Sequence, residues 1–274
     1  MPPRSVIVAN SLELALVFAG LCVLWQVVLS PEARARRVAN PPALATWDAP
    51  LSDFFLFLWA IVCGGVLAQF LAAMLFKPLA LSEDGRMIFA NAGLELGMLG
   101  GIAFYRLGLR RGAPLRRFAP ASAMRTGITT FLIAMPVVVL VGLVWQFLLQ
   151  SCGLPVEPQD IIGRLVNIQS PALLIGMIVL ATVTAPIAEE LIFRAGFFRY
   201  LRTRLPRWAA LLAPACLFAA LHQSLAMFAP LVALGIVFSL AYERTGRIGT
   251  AMIAHGLFNA HTIALILIDP SAAN

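Results

Sequence analysis

The sequence predicts an all-α protein, a polytopic transmembrane bundle of about eight helices. Of its 274 residues, 61% are hydrophobic and only 12% are charged, and that charged fraction is about half of what soluble domains carry. The mean hydropathy is +0.89, and the apolar residues form blocks long enough to cross a bilayer, which takes about 20 residues of helix. Helices satisfy their own backbone hydrogen bonds in lipid, and the blocks lack the alternating pattern of a transmembrane β-barrel.

Eight apolar blocks account for most of the chain. The third block is the weakest candidate because it is glycine-rich and contains Glu95, and the seventh is short. A tight turn near Ala229 and Pro230 is predicted between the sixth and seventh blocks, and residues 160–169 are predicted to form a short interfacial helix. The predicted spans are residues 6–30, 51–76, 87–105, 126–150, 171–193, 209–226, 228–243 and 248–268.

The basic residues predict how these spans are oriented. With eight spans, sixteen of the twenty lysine and arginine residues fall on one side, and an excess of positive charge marks the cytoplasmic side. We therefore expect both termini outside the cytoplasm, and we attribute the net charge of +7 to topology rather than to nucleic-acid binding. Lys77 is the only lysine, which suggests a GC-rich bacterial genome and hence the inner membrane of a bacterium.

No linker separates soluble domains, so residues 1–274 are predicted to form one integral membrane domain. Residues 1–170 supply spans without an assigned role. Residues 171–268 contain the paired glutamates and the histidines and asparagine that recur inside later apolar blocks, and we predict that they form a catalytic core.

Glu189 and Glu190 are adjacent within a strongly apolar stretch, residues 173–198. An acid at the centre of a bilayer costs about 2.5–3.5 kcal/mol even on the lenient insertion scale, so such residues usually serve a function. Glu190 and Arg194 are four residues apart with the acid first, the favoured order for an ion pair on a helix. We therefore predict that Arg194 neutralises Glu190 as structural support. Glu189 points about 100° away and stays free for chemistry.

Three further polar residues follow in the later spans. His222 ends the segment Phe218-Ala-Ala-Leu-His, and His255 and Asn259 are four residues apart, so they share one face of a helix. A carboxylate in an apolar pocket can take a proton from water and later return it, and an imidazole can polarise that water. A second imidazole and a carboxamide can donate hydrogen bonds to a developing oxyanion.

Several alternatives remain open from the residues alone. Each polar group could simply stabilise helix packing. Glu189, His222 and His255 could instead provide three ligands to a zinc ion with water as the fourth, although the chain has no HExxH motif. A proton- or cation-coupled transporter and a non-catalytic scaffold or immunity protein are the other function classes. The absence of an apparent internal repeat disfavours transport.

The three motifs resemble those of the CPBP family of intramembrane proteases, which comprises CAAX prenyl endopeptidases, bacteriocin-processing enzymes and abortive-infection proteins. The family pattern EExxxR, FxxxH and HxxxN reads here as EELIFR at 189–194, FAALH at 218–222 and HGLFN at 255–259. The resemblance covers residues 175–262, about a third of the chain.

The resemblance implies a glutamic-type intramembrane endopeptidase. Metal dependence is disputed in the family, and we favour the metal-free mechanism, with no cofactor, over the zinc-dependent one. In the metal-free mechanism Glu189 and His222 activate water, and His255 and Asn259 form the oxyanion hole. Glu190, Arg194 and Phe218 would support the site. The implied partners are the lipid bilayer and a membrane-anchored peptide or protein substrate, such as a bacteriocin leader or the sorting helix of an exported protein.

Overall fold

A computed structural model shows a bundle of helices, and no strand occurs among the residues that it describes. Five of the arginines counted for the orientation lie outside the described residues, as does most of the predicted interfacial helix. They are Arg110, Arg111, Arg116, Arg117 and Arg164. The described residues are 3–45, 47–79, 81–109, 120–154, 163, 165 and 167–269.

The predicted spans all correspond to helices, and seven of these are long and apolar enough to cross a membrane. The protein is therefore an integral membrane protein with an all-helical fold. The one helix at a predicted span that falls short of this length is α7, which is a shorter apolar helix. The helices are α1 Arg4–Leu29, α2 Pro31–Ala39, α3 Leu51–Phe76, α4 Glu83–Leu109, α5 Pro120–Ser151, α6 Pro171–Leu201, α7 Arg207–Leu221, α8 Leu225–Thr245 and α9 Ile248–Ile268.

The predicted turn near Ala229 and Pro230 is wrong, because both residues lie inside α8. The chain reverses earlier, where α7 ends at His222 and Gln223 adopts a left-handed backbone with φ 52°. Ser224 then starts α8, since its hydroxyl oxygen accepts a hydrogen bond from the backbone N–H of Met227, the usual role of a serine cap. Local capping chemistry thus places His222 at a helix end rather than within a span.

The predicted end of the fifth span at residue 193 is also wrong, because α6 continues to Leu201. Arg194, which the predicted bounds left outside the span, lies inside the helix and is 1% exposed. Because Glu190 neutralises the guanidinium in an ion pair, Arg194 can stay within the apolar region.

Helices α3 and α4 pack backbone to backbone through small residues. A Cβ atom added at Gly97 would lie 2.2 Å from the carbonyl oxygen of Gly64, and one added at Gly101 would lie 2.1 Å from that of Ala60. Small residues allow this close approach of membrane helices. The stripe that includes Gly93, Gly97 and Gly101 therefore fixes which side of α4 faces α3.

Helix α6 departs from regular α-helical geometry on both sides of its glutamate pair. Residues Leu180–Thr184 and Leu191–Phe198 are π-helical, a distortion that is frequent at functional sites. The helix packs against α4, α7, α8 and α9, so its polar groups lie among neighbouring helices.

Candidate functional site

Glu190 and Arg194 form a fully buried ion pair on α6. The Nη1 atom of Arg194 lies 2.9 Å from Oε1 of Glu190, and the two side chains are 1% and 0% exposed. The guanidinium lies over the rings of Phe218 and Phe238, 4.8 Å and 5.5 Å from their centroids. The pair thus joins α6 to α7 and α8, and its cation is stabilised by both the carboxylate and the aromatic faces.

His255 lies between the two glutamates. Its Nδ1 atom is 2.9 Å from Oε1 of Glu190, and its Nε2 atom is 3.6 Å from Oε2 of Glu189. Because an ionised carboxylate only accepts hydrogen bonds, Nδ1 carries a proton and donates a hydrogen bond to Oε1 of Glu190. Glu190 therefore does more than neutralise Arg194: it also fixes the orientation of His255, as a carboxylate does for the histidine of a catalytic triad.

Glu189 is the accessible member of the pair. Its side chain is 26% exposed, whereas that of Glu190 is 0% exposed. The two neighbouring carboxylates therefore occupy different environments, as the 100° rotation between them predicts. Glu189 is accessible at the surface of the bundle, and Glu190 is enclosed within it.

His222, at the end of α7, packs against Phe218, which also contacts His255. Its ring centroid is 4.6 Å from that of Phe218, and the ring of His255 is 5.9 Å from Phe218. The Nδ1 atom of His222 lies 2.8 Å from the carbonyl oxygen of Phe218, which can only accept. The neutral imidazole therefore has its proton on Nδ1, and its Nε2 atom is the acceptor.

Asn259 binds the distorted segment of α6. Its Nδ2 atom donates to the carbonyl oxygen of Ala181 at 2.8 Å. The backbone N–H of Ala185 bonds instead to Leu180 in the π-helical turn, and Pro186 has no N–H to offer. The sequence thus leaves the Ala181 carbonyl without its helical donors, and the Asn259 amide takes their place while keeping a second N–H.

Gly256 permits the close contact between α9 and α6 beside this bond. A Cβ atom at position 256 would lie 2.5 Å from the backbone carbonyl oxygen of Thr182, closer than real Cβ contacts. We expect Gly256→Ala to push α9 away from α6 and to cost about 1–3 kcal/mol of stability, as overpacking does.

Thermal unfolding in detergent measures this effect. Gly100→Ala is the matched control, because a Cβ there meets nothing within 4 Å. A melting temperature for Gly256→Ala equal to that of the control would contradict the prediction.

The structure thus groups Glu189, Glu190, Arg194, Phe218 and His255, with His222 against Phe218 and Asn259 on the adjoining turn of α6. It gives no direct contact between His222 and Glu189. Among the described residues, no set of three His, Cys, Asp or Glu side chains is arranged to hold a metal ion.

Sequence reasoning missed three contributors to the site. Phe238 covers Arg194, and it has no signal that distinguishes it from the other apolar residues of its span. Gly235 permits the close approach of α8 to α7 beside Arg194, since a Cβ there would lie 3.0 Å from the Cβ of Ala215 and 3.4 Å from Nη2 of Arg194. Gly256 directly follows a motif histidine, and a small residue next to a polar one in a span is a detectable sign of helix contact.

The C-terminal third of the chain matches known membrane proteins. Residues 171–261 match the family model described as "Type II CAAX prenyl endopeptidase Rce1-like". That match covers the paired glutamates, both motif histidines and Asn259. This match supports the resemblance to the CPBP family that the three motifs indicate, and we refer to residues 171–261 as the CPBP region. The CPBP region begins with α6 and ends within α9, so it contains the whole group of polar residues described above.

A curated relative supports the CPBP assignment. The Bacillus subtilis protein named "Putative membrane peptidase YdiL" is 31% identical over 91 residues, which are 33% of this chain and 37% of that protein. The match therefore spans little more than a third of the relative's length. No solved structure matches the chain at the same level of significance.

Proposed function

We propose that the protein is an intramembrane endopeptidase that hydrolyses a peptide bond of a membrane-anchored protein or peptide. One observation carries the proposal: an accessible carboxylate, Glu189, lies beside an imidazole, His255, that is itself held by a buried carboxylate, Glu190. This arrangement lies in a CPBP region, whose family model is described as an endopeptidase.

In the proposed reaction Glu189 takes a proton from water, and the resulting hydroxide attacks the peptide carbonyl carbon. His222 assists through Nε2, the acceptor that its bond to the Phe218 carbonyl leaves free. Glu189 then returns the proton to the departing amine nitrogen. A well-placed general base typically accelerates such a step by about 10²–10⁴-fold.

His255 and Asn259 are the proposed donors to the oxyanion. Because Nδ1 of His255 donates to Glu190, its Nε2 atom can donate to the oxyanion when the ring carries both protons. Asn259 contributes the amide proton that its bond to Ala181 leaves free. The proposal assigns no step to a metal ion or cofactor.

The proposed setting is the inner membrane of a bacterium with both termini outside the cytoplasm. The asymmetric distribution of arginine supports this orientation when α7, the shorter apolar helix, is counted as the eighth crossing. The apolar spans imply that substrate approaches within or at the bilayer, so a peptide with a membrane anchor fits the site better than a soluble one.

The test is cleavage of co-reconstituted membrane-anchored peptides by the purified protein, with and without a zinc chelator. Wild-type cleavage that resists chelation and is lost in Glu189→Gln supports the proposal. Cleavage that chelation abolishes and zinc restores would replace the metal-free mechanism. Proton flux through liposomes that depends on Glu189, without any cleavage, would favour transport instead.

Asn259→Ala is expected to lower kcat by about 10²–10³-fold with little change in KM, the usual effect of losing one oxyanion donor. Such a change marks an interaction made in the transition state rather than in substrate binding. The measurement is steady-state kinetics on the substrate found above, and a melting temperature shows the separate effect of losing the Ala181 bond. A kcat equal to that of wild type would remove Asn259 from the oxyanion hole.

A further inference from the structure

Helix α4 places a third acid at the site. Glu95 lies two residues from both Gly93 and Gly97, which is about 200° around a helix. Since those glycines face α3, Glu95 points away from α3. Helix α4 also packs against residues Ala185–Glu190 of α6. Because Glu95 lies on the side of α4 that faces away from α3, it is directed toward the glutamate pair.

The Glu95 carboxyl has no partner of opposite charge. Its Oε2 atom is buried without a hydrogen bond, and among the described residues no cation pairs with it. The carboxylate of Glu189, on the segment of α6 that packs against α4, adds like charge to its surroundings. An isolated acid inside a membrane protein is expensive and is a functional candidate by default.

Glu189 faces groups of both signs. Besides Glu95, it faces the imidazole of His255, and its negative charge attracts the guanidinium of Arg194. Arg194 is already neutralised by Glu190 at 2.9 Å. Two carboxyl groups brought close together in a low-dielectric interior cannot both ionise cheaply.

We propose that Glu95 is a positioning residue of the hydrolytic site: its carboxyl holds a proton against Glu189, directly or through one water, and orients the Glu189 carboxylate toward the attacking water. The inference rests on the proposed function and adds to it. Glu95 keeps its proton throughout. The proton that Glu189 removes from water goes to the leaving amine, so the two acids have separate roles.

The kinetic test compares Glu95→Gln with Glu95→Leu. The glutamine amide can donate a hydrogen bond to Glu189 as a protonated carboxyl does, so we expect its kcat to stay within about threefold of wild type. Leucine fills the space without a donor, and we expect kcat to fall about 10–100-fold with KM unchanged, as misplacement of a reacting group does. Leu96→Ala, on the exposed side of the same helix, is the control and should match wild type.

A merely structural role for Glu95 predicts a different pattern. If Glu95 only fills space, leucine and glutamine would give equal kcat values, and that result would overturn the proposal. Melting temperatures of the three variants separate loss of positioning from loss of folding.

Infrared spectroscopy tests the shared proton without any substrate. The wild type is expected to show the carbonyl stretch of a protonated carboxylic acid that shifts in D₂O and disappears in Glu95→Gln. An unchanged band in that variant would overturn the carboxyl pair. If the wild type cleaves no peptide but the band behaves as expected, the endopeptidase proposal fails while the Glu95–Glu189 pair stands.

Discussion

Replacing Glu189 with glutamine is expected to lower kcat by about 10²–10⁴-fold, the contribution of a general base, and to leave the melting temperature unchanged. Glutamine has nearly the same shape but cannot accept a proton from water. The side chain is 26% exposed, and its contact with His255 is 3.6 Å long, so the loss of charge removes little packing or hydrogen bonding. The measurement is peptide cleavage together with thermal unfolding in the same detergent.

Glu190→Gln is the matched control, because it makes the same change one residue away. Glu190 is fully buried between Arg194 and His255, so its neutralisation leaves a buried guanidinium without a counter-ion. We expect this variant to unfold at a clearly lower temperature, unlike Glu189→Gln. Full activity in Glu189→Gln would refute the general-base role, and equal losses of stability in both variants would refute the division between an accessible and a structural acid.

Arg194→Met is expected to lower the free energy of unfolding by about 3–5 kcal/mol, the usual cost of removing one partner of a buried ion pair. Methionine nearly matches the stem of arginine in length and is apolar. The variant therefore isolates the loss of the charge that Glu190 and the rings of Phe218 and Phe238 surround. Steric-trapping or denaturant unfolding in bicelles measures the difference.

Arg34→Met is the control for this prediction. Arg34 is exposed on α2, and a surface substitution of this kind changes stability by about 0.5 kcal/mol or less. The double variant Glu190→Leu with Arg194→Met removes both charges, and apolar replacement of a whole buried pair is often close to neutral. It should therefore be more stable than Arg194→Met alone; a double variant that is less stable would contradict this account of the pair.

Local spacing in the sequence was enough to predict several features. Long apolar blocks predicted the all-helical membrane fold. The spacing of four residues placed Glu190 beside Arg194, and it placed Glu189 on another side of the same helix. Such features depend on contacts within one helix or on the cost of exposing polar groups to lipid.

The helix ends were less predictable because they depend on single residues. Composition placed a turn near Pro230, yet the chain turns at Gln223 and Ser224, where a left-handed residue and a hydroxyl cap start α8. Composition also ended α6 before Arg194, although a counter-ion one turn earlier keeps that cation inside the bundle.

The contacts between helices were decided by the tertiary structure alone. Sequence spacing cannot show that His255 lies between both glutamates or that Asn259 bonds to the carbonyl that the π-helical turn and Pro186 leave free. In the sequence, Glu95 only made the third block a weaker candidate for a span, whereas helix packing directs this acid toward Glu189. The sequence by itself determined which residues are polar in an apolar chain. Packing through small residues determined which of them meet, because only the close approach of helix backbones brings side chains from α4, α6 and α9 together.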